Sequence, residues 1–436
     1  MYGSEVEKIF KLKGVEVGDL IRVKWRGGFI EGVLMPRPDV GGEGVIVLKL
    51  KNGYNVGLKT VDVELVEKQR LIEKPLRVEV KSGLPQISVI ATGGTISSKV
   101  DYKTGGVHML MSADEIISTA PQLRDFVSIK EILNPFTIGS EDISFREWVK
   151  LAELTAKQLN ESKGVVILHG TDTMHYTSSA LSFMLPNVSK PVVIVGAQRS
   201  QDRPSRDGVM NLTCASIFSV SDHAGVSIVM HGTSNDDYCI AIPGTKARKM
   251  HTSRRDAFRP INSKPRAFIY PDGRVDFKSE VKKRSDDEVK ADTSYEPKVG
   301  LVKVYPGSDP EIIDFFISKN YRGLIIEGTG LGHVPTQTLR REDSWIEWIR
   351  KASKDMVVGV TSQCIYGRTN SSVYSNLRLL SKTGAIHCED MLSETALIKL
   401  GFLLGHDYDR SEVEKKMLEN LAGEINKRLS LSEFLN

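Results

Sequence analysis

Two apolar runs in this chain, Ile87 to Ala91 and Val165 to Leu168, each break abruptly into glycine and threonine. The first continues as Thr92-Gly93-Gly94-Thr95-Ile96, the second as His169-Gly170-Thr171-Asp172-Thr173. Short continuous apolar runs of this kind fit strands buried on both faces, as in a parallel sheet. Glycines at the strand exit let the backbone turn sharply and approach a ligand closely. The carboxyl ends of strands are where α/β sheets place their ligands. Either cluster alone is equally what a threonine capping a helix would leave. Two such clusters in one domain suggest a nucleophilic hydroxyl and a second hydroxyl that serves it.

The chain has 436 residues, enough for two or three domains. Its 40% hydrophobic and 26% charged residues place it among ordinary globular proteins. A net charge of +4 argues against a large phosphate-binding surface, though not against a local one. No apolar run reaches membrane-spanning length. The start, Met1-Tyr2-Gly3-Ser4-Glu5, has no signal-peptide pattern, so a cytoplasmic protein is expected. Cys214, Cys239, Cys364 and Cys388 are scattered and read as reduced core thiols. No Cys-x-x-Cys or His-x-x-x-His spacing supports a metal site, so none is expected.

Residues from about 15 to 68 read as five short strands: Val17–Trp25, Phe29–Met35, Gly44–Lys51, Tyr54–Lys59 and Val61–Leu65. Asn52-Gly53 is a strong hairpin signal, because both turn positions need positive φ. A small SH3- or Sm-like β-barrel is expected over residues 1–75. A nearly balanced charge makes it a docking module sooner than an RNA binder. Residues 76–85 read as a linker. From Gln86 onward apolar strands alternate with helical patterns, which indicates an α/β fold with parallel sheets. One α/β domain is expected over 86–297 and a smaller one over 298–436. Ser144-x-x-Glu147 can form a capping box for a helix with Phe145, Trp148, Val149, Ala152, Ala156 and Leu159 on one face and Gly164 at its end. The charged stretch around Lys282–Glu288 reads as a solvated surface excursion.

A threonine hydroxyl needs a base and an oxyanion site to act as a nucleophile. Thr95 can attack a carbonyl while backbone N–H groups around Gly94 and Thr171 hold the developing charge. Thr171, Asp172 and a lysine can form a proton-handling set, the carboxylate orienting the ammonium. Ala91-Thr92-Gly93-Gly94-Thr95-Ile96 and His169-Gly170-Thr171-Asp172-Thr173-Met174 together resemble the two signatures of the bacterial-type L-asparaginase family. The resemblance runs from Gln86 nearly to the end of the chain. It implies two asparaginase-like α/β domains with Thr95 as nucleophile and Thr171 and Asp172 as the second catalytic pair. The family's catalytic lysine precedes a phenylalanine by nine residues, which selects Lys249 before Phe258 and disfavours Lys246. Ser140 and Glu141, in Ile138-Gly139-Ser140-Glu141-Asp142, resemble its substrate-binding loop, with Gly94 also beside the substrate. Asp172 would bind the substrate's α-amino group as well. The family's lid tyrosine has Tyr102 as its candidate here, in a stretch that departs from the family pattern.

The N-terminal strands, Arg248–Asp256, Glu327–His333 and Ala422–Asn426 are similar to one branch, the archaeal glutamyl-tRNA(Gln) amidotransferase D subunits. That resemblance implies the glutaminase part of a tRNA-dependent ligase complex, releasing ammonia from glutamine (or asparagine). It implies a larger kinase and transamidase partner that uses ATP and Mg²⁺, with no cofactor in this chain. Glu-tRNA(Gln) would be held mainly by that partner, around a homodimer core within a heterotetramer. Gly328-Thr329-Gly330-Leu331-Gly332 is not the dinucleotide fingerprint, so a nucleotide site there is not expected. A free-standing asparaginase with an accessory barrel and a non-catalytic binding subunit are the competing readings.

Overall fold

The computed structural model describes residues 2, 4–35, 44–50, 54–59, 62–68, 83–94, 98–100, 107–109, 120–200 and 205–434. The N-terminal part opens with a helix that the sequence does not announce, α1 (Ser4–Lys13). Five antiparallel strands follow: β1 (Leu20–Trp25), β2 (Gly28–Met35), β3 (Val45–Lys49), β4 (Asn55–Lys59) and β5 (Val63–Glu67). Their order is β4-β3-β2-β1-β5. Alternate residues Ile21, Val23, Ile46 and Leu48 turn inward, where Val6 and Phe10 of α1 join them. Val45 pairs with Lys59 and Lys49 with Asn55, the register of a hairpin. The Asn52-Gly53 turn itself lies outside the described residues.

The main sheet has a parallel half made of β6 (Gln86–Ala91), β9 (Ser128–Leu133), β10 (Val165–Leu168), β11 (Pro191–Val195) and β12 (Gly225–His231). The other half, β13 (Cys239–Pro243), β16 (Ala267–Ile269) and β17 (Val275–Phe277), continues antiparallel. The eight strands run in the order β17-β16-β13-β12-β11-β10-β6-β9. Two small ribbons stand apart: β7 (Ser98–Val100) with β8 (Val107–Met109), and β14 (Ala247–Lys249) with β15 (Phe258–Pro260). The central strands are apolar throughout because both faces are covered. Ile90, Val165, Ile167, Val192 and Ile194 face α2 (Phe145–Glu161) and α3 (Met174–Met184). Val89, Val166, Leu168, Val193 and Val195 face α4 (Gly208–Ser219).

A second, smaller sheet is all parallel: β18 (Val299–Lys303), β19 (Gly323–Gly328), β20 (Val357–Ser362) and β21 (Ile386–His387), in that order. Helices α5 (Ile312–Ser318) and α6 (Trp345–Asp355) pack on one face. After α7 (Ser375–Ser381), helix α8 (Ser393–Leu404) covers the other face and is built into the same core as α3. It is followed by α9 (Arg410–Met417). Helix α8 therefore joins the two α/β units through a shared interior.

The capping box at Ser144 forms as expected: Glu147 Oε2 accepts from the Ser144 N–H at 2.8 Å, and Ser144 Oγ accepts from Arg146 N–H. The helix ends sooner than Gly164. Ser162 leaves it in extended conformation, with its hydroxyl donating to Gln158 O at 2.7 Å. Gly164 serves a different purpose, because a Cβ there would stand 2.0 Å from Ser219 O. The segment after β17 is also more than a solvated run. Its charged side chains face outward, but its backbone is stitched to the body: Asn160 Oδ1 accepts from Val289 N–H at 2.8 Å and Asn160 Nδ2 donates to Val289 O at 2.9 Å. Val289 is buried, and Tyr295 packs on Phe145 and Trp148. Cys214, Cys239 and Cys388 are buried thiols, whereas Cys364 is exposed.

Candidate active site

The two glycine–threonine clusters meet at the carboxyl ends of neighbouring parallel strands. β6 and β10 pair up to Ala91 and Leu168. Thr92 then donates both its N–H and its hydroxyl to Leu168 O, at 3.0 and 2.9 Å. Gly94 has φ +83°, and a Cβ on it would lie 2.3 Å from Gly170 Cα. Only glycine meets both conditions. On its other side Gly170 packs on Ser140, whose Cβ would be 2.8 Å from a Cβ at Gly170. Gly196, just past β11, closes on Thr171 Cγ2 and on Met174. Glycine thus stands at each close approach among the ends of β6, β10 and β11 and the turn at Ser140.

Thr171 and Asp172 leave β10 on this platform. Lys249 reaches them from the end of β14: its Nζ donates to Thr171 Oγ1 at 2.8 Å and to Asp172 Oδ1 at 2.6 Å. The lysine side chain is 10% exposed and the aspartate 67% exposed, so the pair lines an open surface. Asp172 Oδ2 has no hydrogen-bond partner among the described residues. It is free to take a cationic group from solution. Ser140 is buried against the same turn, its carbonyl accepting from Thr173 Oγ1 at 2.5 Å. Glu141 is exposed beside it, with its carboxylate folded over Gly139. Thr95 and Tyr102 lie outside the described residues.

Lys246, the competing lysine, is elsewhere. Its amine pairs with Asp390 at 2.6 Å, with both side chains at or below 1% exposure. Burial pushes its pKa down against the opposing pull of Asp390. Behind the site lie two buried histidines. Burial sends His169 down to about 4 and His175 down to about 3, so both are neutral imidazoles near neutral pH. His175 Nε2 is 3.6 Å from Glu394, which also receives both hydrogen bonds from Arg248, at 2.6 and 2.7 Å. Sequence reasoning does not single out Arg248, Glu394 or Asp390. Their partners are more than 140 residues away, and a single sequence carries no signal of such pairings.

Chemically, this is a threonine hydroxyl held by a lysine, with a half-free carboxylate beside it. It rests on a glycine platform from which the next residue after Gly94 is Thr95. Such a set can move a proton to or from a hydroxyl and bind an ammonium group.

Known proteins resemble this chain over nearly its whole length. A family model described as asparaginase, N-terminal, matches residues 86–283, and one described as glutaminase/asparaginase C-terminal domain matches 298–417. A GatD N-terminal domain model matches 15–68. The D subunit of the Pyrococcus furiosus glutamyl-tRNA(Gln) amidotransferase is 48% identical, over 99% of both chains. The chain belongs to the family of glutamyl-tRNA(Gln) amidotransferase D subunits. Other D subunits are similar along nearly their whole length too, as in Sulfolobus acidocaldarius at 42% identity over 98% of this chain and 95% of that one. Among solved structures, the L-asparaginase of Thermococcus kodakarensis matches with TM-score 0.71 and 30% identity. It covers 79% of this chain and 100% of its own. L-asparaginase I of Vibrio cholerae matches with TM-score 0.67 and 27% identity, over 79% of this chain and 99% of its own. The asparaginase fold is therefore complete within the D-subunit chain, which carries a further fifth that the asparaginases lack.

Proposed function

We propose that this chain is the glutaminase subunit of a tRNA-dependent amidotransferase, in which ammonia freed from glutamine is used to convert Glu-tRNA(Gln) to Gln-tRNA(Gln). The single observation that carries the amidohydrolase reading is the contact of Lys249 with Thr171 and Asp172 on the Gly94–Gly170 platform. Thr95 attacks the side-chain amide carbon. Backbone N–H groups around Gly94 and Thr171 stabilise the oxyanion. The C–N bond breaks, the nitrogen takes up a proton and leaves as ammonia, and an acyl-Thr95 ester remains. Water then attacks that ester and releases glutamate. Lys249 exchanges protons with Thr171 Oγ1, and Asp172 holds the lysine through Oδ1. Its open Oδ2 takes the substrate's α-amino group. Ser140 and Glu141 supply the adjoining wall.

The N-terminal domain supports the complex over a free-standing hydrolase, because asparaginases of the same fold are complete without it. In this reading a larger partner binds Glu-tRNA(Gln), activates its glutamyl carboxylate with ATP and Mg²⁺, and receives the ammonia. This chain docks on the partner through its N-terminal domain and forms a homodimer core within a heterotetramer. The protein works in the cytoplasm. Among the described residues no helix is long and apolar enough to cross a membrane. The second reading, an asparaginase with an accessory domain, is favoured only by the near-complete coverage of the asparaginase structures.

The two readings part in one experiment: amide hydrolysis by the purified chain, alone and with the partner, with and without Glu-tRNA(Gln). Stimulation by the charged tRNA supports the amidotransferase. A fast rate on asparagine that is indifferent to partner and tRNA supports the free-standing enzyme.

A further inference from the structure

The strand that carries Lys249 is held almost residue by residue by the C-terminal α/β unit. Thr245 O accepts from Thr395 Oγ1 at 3.1 Å, and Thr245 Oγ1 donates to Ala422 O at 3.2 Å. Lys246 Nζ donates to Asp390 Oδ2 at 2.6 Å. Arg248 places both its hydrogen bonds on the Glu394 carboxylate. Lys249 alone points the other way, to Thr171 and Asp172. Within β14, strand alternation puts Arg248 on one face and Lys249 on the opposite one; Lys246 lies in the bend just before the strand. Three of the four C-terminal anchors lie close together in sequence: Asp390 just before α8, and Glu394 and Thr395 in its first turn; Ala422 is the fourth. Asp390 is itself fixed, accepting from Asn426 N–H at 2.9 Å and from Asn426 Nδ2 at 2.8 Å.

Buried ion pairs are a poor way to hold two units together, because desolvation offsets most of the attraction and an apolar interface serves as well or better. The units already share an apolar core along α3 and α8. What directional, charge-assisted bonds add is geometry. Proton transfer is sensitive to it, since a misplacement of about 1 Å costs on the order of a hundredfold in rate.

We propose that Glu394 and Asp390 are positioning residues for the reaction: through Arg248 and Lys246 they set the reach of Lys249 to Thr171. The inference rests on the reading of Lys249 as the proton-transfer group. It goes beyond that reading by giving the C-terminal unit a part in catalysis within one chain.

The test is glutamine hydrolysis by full-length Glu394→Gln, in the same assembly state as the parent, with kcat and KM separated. Gln preserves the shape and removes the charge. The expected result is a kcat reduced by about tenfold or more with KM within about twofold. Arg248→Lys, which keeps the charge but has a shorter reach than the guanidinium whose Nη1 serves both Glu394 oxygens, should give an intermediate kcat. A structural role alone would not give this split. Ile349→Ala, which opens a cavity in the C-terminal core, serves as the comparison. It should lower the melting temperature while leaving both kinetic constants close to the parent's well below melting. If Glu394→Gln does not fold, Arg248→Met combined with Glu394→Gln removes both charges and leaves none unpaired. A folded double variant with depressed kcat supports the proposal, and one with the parental kcat overturns it. A folded Glu394→Gln with kcat within about twofold of the parent overturns it as well. Failure of the underlying assignment is visible separately, as a Lys249→Met protein that keeps the parental rate.

Discussion

Lys249 Nζ lies 2.8 Å from Thr171 Oγ1, while Lys246, three residues earlier, is buried 2.6 Å from Asp390. Two lysines on one short segment therefore have opposite surroundings, and replacing each should fail in a different way.

Lys249→Met should lower amide hydrolysis by about 10² to 10⁴, the usual contribution of a positioned proton-transfer group. It should leave the melting temperature nearly unchanged, because its partner Asp172 is 67% exposed and the pair is screened. Lys246→Met should chiefly cost stability, about 3–5 kcal/mol for breaking the buried pair with Asp390, with a smaller fall in kcat through the loosened placement of Lys249. Kinetics and thermal melts on both variants check this. The reverse pattern would assign the wrong lysine.

Gly94→Ala should abolish activity and destabilise the fold. The residue combines φ +83° with Gly170 backbone 2.3 Å from where a Cβ would stand. Gly27→Ala is the matched comparison, with φ +82° and nothing within 4 Å of a Cβ. It should cost only the left-handed strain of about 1–2 kcal/mol. Equal losses of stability in the two variants would contradict the close approach of the two strand ends.

Stability should fall as pH drops below about 6.5. Burial is the first cause in each case: it lowers His169 and His387 to about 4, His175 to about 3 and His223 well below the ordinary value. Below the unfolded value the unfolded chain takes up protons that the folded one refuses. The contribution of these histidines is therefore complete above about 6.5 and is lost as pH falls toward the folded values. Melting temperatures across that window should show the slope, and His387→Leu should make it shallower. A flat profile would mean that these rings are not held neutral.

How far the sequence discloses this molecule depends on whether a feature is local. The strand ends at Gly94 and Gly170, the capping box at Ser144 and Glu147, and the apolar strands β10 and β11 are written in consecutive residues. They form as expected. Lys249, nine residues before Phe258 and implied only by the asparaginase resemblance, is the lysine whose amine contacts Thr171. Helix α1 has helical spacing at Val6, Ile9 and Phe10, but over ten residues, half of them charged, ahead of a strand-rich stretch that signal is short. The end of α2 falls short of Gly164 because that glycine answers to Ser219, far along the chain, and not to its own helix. Buried Lys246 and Glu394 and half-buried Arg248 look like surface residues in a sequence, since nothing local says that a charge has a partner from another domain.

Deleting residues 1–82 should leave a chain of asparaginase extent that folds and still hydrolyses amide, given that asparaginase structures match 79% of this chain and nearly all of their own. Docking on the partner and stimulation by Glu-tRNA(Gln) should be lost. Binding measurements and partner-dependent turnover check this. A truncated protein that supports full tRNA-dependent amidation would remove the docking role from the N-terminal domain.

Everything proposed for the site turns on Thr95, the residue next to Gly94 in sequence, being the nucleophile of a glutaminase. The most direct measurement is ammonia release from glutamine by the complex with partner and Glu-tRNA(Gln), for wild type, Thr95→Ala and Thr95→Ser. Thr95→Ala should release none while keeping the parental melting temperature, and Thr95→Ser should release ammonia at a reduced rate. Ammonia production by Thr95→Ala at the wild-type rate would contradict the assignment.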